Sequence, residues 1–242
     1  MIALVKGELI KVRSTRTAIG FAGAAVLLCL VSVLVFVLAA EPTTVEDKRE
    51  ALNFGGTLAV PLLLFGIVGA TTEFRHRTVA ASLLVGPVRI RTTGARIVAF
   101  AVTGLLVAVA MLAVTAVLGA ALLAGAGGPD LAASDYAEVL AGGLLATVLA
   151  TVLGAGVGVL VRNQIAAVVG ALVWLFILEP LVATLSEDTT DFIILNAMGT
   201  LGSGMGDPDG GLGFAGALLV LGGWAAIFVT AGLLVDSRRD VE

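Results

Sequence analysis

The chain has one histidine, one cysteine and three lysines among its 242 residues. With His76 alone, no HExxH zinc motif can form, and a Ser/His/Asp arrangement is not plausible when that histidine sits in a basic loop. With Cys29 alone there is no intramolecular disulfide and no cysteine metal cluster. Lys6, Lys11 and Lys48 are the only lysines, and none closes a GxxxxGK[ST] loop. Any ATP hydrolysis must therefore come from another polypeptide, and no enzyme activity, cofactor or metal is expected in this chain. Charge is scarce as well, at 13% of residues against about a quarter in ordinary soluble domains. Aromatic residues make up only 5%. A water-soluble globule is excluded on that balance.

What the chain does have is Ala, Val, Leu and 31 glycines, in long runs without charge. A helix needs about 20 apolar residues to cross the roughly 30 Å hydrocarbon layer, and unpaired backbone cannot face lipid. Six such runs predict an all-α integral membrane protein with transmembrane helices at about 18–40, 53–72, 97–124, 139–161, 165–185 and 213–235. The third run stays uncharged to Pro129, which exceeds one span and implies tilt or an end near Ala124. The first follows a basic leader but is too long for a signal peptide, so it reads as a retained anchor.

Lys and Arg accumulate on the cytoplasmic side of membrane proteins. Twelve of the fourteen here fall on alternate loops: four before the first span, Arg75, Arg77, Arg89, Arg91 and Arg96 between the second and third, Arg162 between the fourth and fifth, and Arg238 with Arg239 after the sixth. The intervening loops hold only Lys48 and Arg49, among many acids. Both termini are expected in the cytoplasm of a multi-pass plasma-membrane protein. In a Cys29-free background, cysteines at positions 47 and 188 should label from outside intact cells and one at position 76 should not. Outside labelling at 76 would reverse the orientation.

Residues 1–17 read as an amphipathic interfacial helix, with Ile2, Val5, Leu9 and Val12 at helical spacing and Lys6, Lys11 and Arg13 elsewhere, ahead of a transmembrane domain over 18–242. Between the fifth and sixth spans, 191–205 is apolar but broken by glycines, and reads as a re-entrant or surface-lying piece on the outer face. Glu179, followed by Pro180, is the single acid embedded in a span, which makes it the candidate pathway or intramembrane polar residue; against this stands the prospect that it only reaches water or a neighbouring chain. Gly154 and Gly158 form a GxxxG pair suited to close helix packing within one subunit. Arg162-Asn163-Gln164 makes a tight turn.

The most distinctive stretch is the basic loop 72–96. Glu73 to Arg77 continues the second span, Val79 to Val85 supplies one or two apolar helical turns, and Gly86-Pro87 stops them. A short apolar helix between basic arms suits docking to a soluble partner. Here the chain resembles the type-2 ABC (ATP-binding cassette) transporter permeases, through Glu73-Phe74-Arg75-His76-Arg77-Thr78, Leu83-Leu84 and Pro87. Arg89 lies two places after that proline instead of next to it, and the lysine often found before the third span is Ala95 or Arg96 here. The leader 8–17, the stretch from Arg162-Asn163-Gln164 to Glu179-Pro180, and the closing 236–241 resemble that family too.

The resemblance implies the transmembrane subunit of an ATP-driven exporter that pairs with a second permease copy or homologue. It implies cytoplasmic ABC ATPase subunits, which bind the ATP and Mg, seated on a coupling helix between spans two and three. Glu73, Arg75, Arg77, Thr78, Leu83, Leu84, Pro87 and Arg89 are then the ATPase-coupling residues. The apolar walls favour an apolar or amphipathic substrate, and no nucleic-acid partner is expected. Two other readings stand beside it: a secondary transporter or channel, which needs ion-coupling carboxylates and has only Glu179 to offer, and a membrane immunity or scaffold protein without transport.

Overall fold

The computed structural model describes residues 1–75, 88–125, 127–185, 187–205 and 212–238. Among these there is no strand. The helices are α1 (Ile2–Ser14), α2 (Arg16–Ala40), α3 (Val45–Ala51), α4 (Val60–Arg75), α5 (Arg89–Leu123), α6 (Ala133–Val161), α7 (Gln164–Val173), α8 (Glu179–Ala183), α9 (Glu187–Thr190), α10 (Ile194–Ser203) and α11 (Phe214–Arg238). A 3₁₀ turn, Thr57–Ala59, leads into α4, and a π turn, Trp174–Leu178, joins α7 to α8. Six helical segments are long and apolar enough to cross a membrane: α2, Thr57–Arg75, α5, α6, Gln164–Ala183 and α11. Glu8 of α1, Glu73 of α4 and Arg96 of α5 meet, and Phe74 of α4 meets Arg162, which pairs with Asp236 of α11, so these helix ends share one end of the bundle, called the charged end below.

Local chemistry sets the helix limits. Thr44 and Asp47 cap α3 reciprocally, each side chain accepting the other's backbone N–H. Asn53 Oδ1 accepts the N–H groups of Gly55 and Gly56 at 3.1 Å each, which shapes the turn before α4 and delays that helix beyond the start of the uncharged run. Arg162 closes α6 in the left-handed region at φ 59°, and the Asn163 side chain caps α7 by accepting from Ala166 N–H.

Lipid is as apolar as leucine, so helices in a bilayer associate through close packing rather than hydrophobic exclusion. The central helix shows how: α6 is packed by α4, α5, α10 and α11. A Cβ added at Gly154 would fall 1.9 Å from Leu63 O, and one at Gly158 2.8 Å from Ile67 O, so the GxxxG pair seats α6 directly on the α4 backbone. Gly66 answers from α4, where a Cβ would meet Thr151 O at 2.3 Å. Gly156, between the pair, faces α11 in the same way, 2.8 Å from Val229 N. The glycines thus serve packing inside this chain on two faces. Buried threonines on α4 and α6 spend their hydroxyls on their own helices, as Thr147 does on Gly143 O at 2.8 Å, and so add no unpaired donor to the core.

Lys48 and Arg49, the two cations that break the charge asymmetry of the loops, turn out to be interior. Lys48 is 1% exposed and donates to Pro129 O at 2.9 Å. Arg49 Nη2 reaches Asp135 at 2.9 Å and Glu138 at 2.5 Å, while Nη1 donates to Gly204 O at 3.1 Å. One guanidinium therefore ties α3 to the start of α6 and the end of α10, matched by two carboxylates.

Candidate functional site

At the charged end, the described part of α4 closes with Glu73-Phe74-Arg75, the last described residues before 88. Each of the three is held by a different neighbour. Glu73 belongs to a closed ring of alternating charge: Lys11 Nζ lies 2.7 Å from Glu8 and 3.0 Å from Glu73, and Arg96 pairs with Glu73 through Nη2 and with Glu8 through Nε at 3.7 Å. Two acids and two cations leave the ring neutral. Arg96 is 4% exposed and Glu8 is buried, whereas Lys11 is exposed, so the ring joins α1, α4 and α5 with its arginine sheltered and its lysine edge open to water. Burial alone would lower the Lys11 pKa, but hydrogen bonds to Glu8 and Glu73, with the charge of both, outweigh it and hold the ammonium above its usual value.

Phe74 lies beneath the Arg162 guanidinium, 5.2 Å from its ring centre. That same guanidinium bonds Asp236 of α11 at 2.8 Å, and the other Asp236 oxygen accepts from Thr93 of α5 at 2.6 Å. Arg75 Nη1 donates to Gln164, the first residue of α7, at 3.3 Å. The exit of α4 is thereby fastened to α1, α5 and the α6–α7 turn, and through Asp236 to α11. Arg89 opens α5. Arg77, Thr78, Leu83, Leu84 and Pro87, with the expected docking helix and His76, lie outside the described residues.

Sequence reasoning placed the Lys11 and Arg96 charges but missed their partners. A signal was present: Glu8 is the only acid before Glu41, and Glu73 the only one between Glu50 and Asp130. A lone acid in a positive segment has cations waiting for it. On α1, Glu8 turns inward against α5 while Ile2 is 86% exposed.

Toward the other end, Glu179 is buried and fully engaged. Its Oε1 accepts from Trp174 Nε1 at 2.9 Å and from Ile194 N–H at 3.0 Å, and its Oε2 accepts from Leu195 N–H at 3.0 Å. The carboxylate thus caps the start of α10, a helix N-terminus that favours negative charge. The π turn aims it: Glu179 N–H bonds Trp174 O, five residues back, the wider register that accommodates Pro180. Glu179→Gln should keep the fold but lower the melting temperature, because its NH₂ must face one of the N–H donors; leaving one buried donor unpaired costs about 1–3 kcal/mol. Glu179→Ala should cost more, as three donors lose their acceptor. Equal melting of wild type and both variants in detergent would remove the capping role.

A groove of about 220 Å³ runs along α7 between α6 and α11, with Trp174 and Trp224 at its deep end. The indole rings meet edge to face at 6.3 Å, and Trp224 Nε1 donates to Phe192 O at 3.0 Å. Cys29 is a buried free thiol, and no cluster of metal-ligating side chains occurs among the described residues. No protein-family model matches the chain, and no curated protein matches it in sequence.

Proposed function

We propose that this chain is the permease subunit of an ATP-driven exporter of the type-2 ABC kind, powered by a separate ATPase. Six membrane-length helices are compatible with a transporter subunit. The observation that carries the reading further is the fastening of Glu73, Phe74 and Arg75 to three different parts of the bundle. A partner seated on residues 78–87 would pull on α4 at that point. Its displacement would pass through the charged ring to α1 and α5, and through Arg162 and Arg75 to the α6–α7 turn. Paired, desolvated charges suit such transmission because separating them is costly, so the joined elements move together. Closure of two ATPase subunits on two permease copies would then alternate access to the path between them, with both termini cytoplasmic. In this reading α9 and α10 form the outward hairpin between spans five and six, and Glu179 positions it. An ion-coupled mechanism draws no support from Glu179, both of whose oxygens are engaged.

The test is purification of the tagged chain from its native membranes in mild detergent. Recovery of a polypeptide bearing a GxxxxGK[ST] loop, in near-equal amount, is the expected result. Recovery of the chain with no ATPase would favour the scaffold or secondary-transport readings.

A further inference from the structure

The groove along α7 touches that coupling path only at Arg75, and none of the groove's lining residues belongs to the path. Two physical features say what it fits. The first is its length and depth. From Gln164 to Trp174 the helix rises about 15 Å, half of the roughly 30 Å hydrocarbon layer. The groove therefore covers the depth of one leaflet, starting at the charged end. Its lining is apolar, and the two indole N–H groups at its deep end are spent on Glu179 and on Phe192 O. Tryptophan ordinarily favours the interface, where its N–H meets headgroups or water. Here both rings lie about half-way along the bundle with their donors taken by protein acceptors, which leaves apolar ring surface to the groove.

The second feature is charge at the mouth. Arg75 is exposed and gives Gln164 one hydrogen bond, at the start of the helix whose next turn, Ala166 and Ala167, lines the groove. A guanidinium has five N–H donors in a fork that matches phosphate. The carboxylates at this end of α4 and α11, Glu73 and Asp236, are each already paired with an arginine.

We infer that the groove holds an acyl chain of an anionic phospholipid from the leaflet at the charged end, with the phosphate against Arg75. The inference rests on the membrane-spanning reading alone, not on the ATPase coupling.

The chain's only two tryptophans both line the groove, so fluorescence quenching reports lipid there, and the groove-filling variant below separates it from quenching by lipid around Trp174, which is 42% exposed. The protein is reconstituted in phosphatidylcholine vesicles at low salt, and either phosphatidylglycerol or phosphatidylcholine with brominated acyl chains is titrated in. Half-maximal quenching by the brominated anionic lipid should need about two- to fivefold less of it, the range set by one arginine near a lipid surface. Arg75→Gln should bring that ratio to about one. Gly170 lines the groove and has open space where a Cβ would lie, so Gly170→Leu fills it without a backbone clash and should cut quenching by both lipids. Equal titrations in the wild type, or a preference that survives Arg75→Gln, would overturn the phosphate contact. Quenching unchanged by Gly170→Leu in a protein with unaltered helicity would overturn the groove.

Discussion

Arg96→Met should lower the melting temperature of the detergent-solubilised protein by about 10 °C. The substitution keeps the aliphatic bulk and removes one cation from the ring, which leaves Glu8 and Glu73 to share Lys11 alone. Removing one partner of a buried ion pair costs about 3–5 kcal/mol, because the remaining charge stays desolvated and uncompensated. In a chain of this length each kcal/mol moves the midpoint by about 2–4 °C. The second change Glu73→Gln should restore about half of the loss, since it deletes the excess negative charge rather than the contact. Residues in one network are non-additive in this way, whereas independent surface charges simply add. Size-exclusion fluorescence after stepwise heating reads all three proteins. If Arg96→Met melts with the wild type, the ring does not fasten α1 and α5 to the exit of α4, and the proposed path for force is broken at its first joint.

The ring also marks where sequence reasoning stops. Spans are legible because the bilayer admits few alternatives: an uncharged run of sufficient length must be a helix, and all six appear as such. Their ends were readable to within a turn where a cap residue stood, as at Asn163, and less so where a tertiary contact decided, as at Asn53, which also donates to Gly199 O at 3.2 Å. The GxxxG pair was visible as spacing, but only the structure reveals that its partner is α4 and that Gly156 serves α11. Pairing over long separations is what a single sequence hides. Glu8 meets Arg96 and Arg49 meets Glu138 because helices far apart in the chain pass at the same level; Glu8 stands out as a lone acid among cations, but nothing local says which cation it takes. Glu179 illustrates the converse. Its burial was foreseeable from its place in a span, yet its task, capping a helix that begins fifteen residues later, depends on how α10 folds back.

If residues 78–87 receive an ATPase, as proposed, Leu83 and Leu84 are the side chains whose loss should show it. An apolar side chain buried at a contact contributes roughly 1.5–3 kcal/mol, so two leucines would supply a large share of the docking proposed for this loop. Changing both to Asp would require either desolvating two carboxylates or leaving the segment undocked. Both positions fall in the basic loop between the second and third uncharged runs of the sequence, so insertion should be unaffected. The measurement is the amount of ATPase recovered with the tagged permease in detergent, wild type against Leu83→Asp/Leu84→Asp, together with transport by the same complexes. Recovery should fall at least about tenfold, which corresponds to only about 1.4 kcal/mol of lost binding, with transport lost in proportion. Unchanged recovery and unchanged transport would contradict the proposed docking and leave 78–87 as an ordinary basic loop.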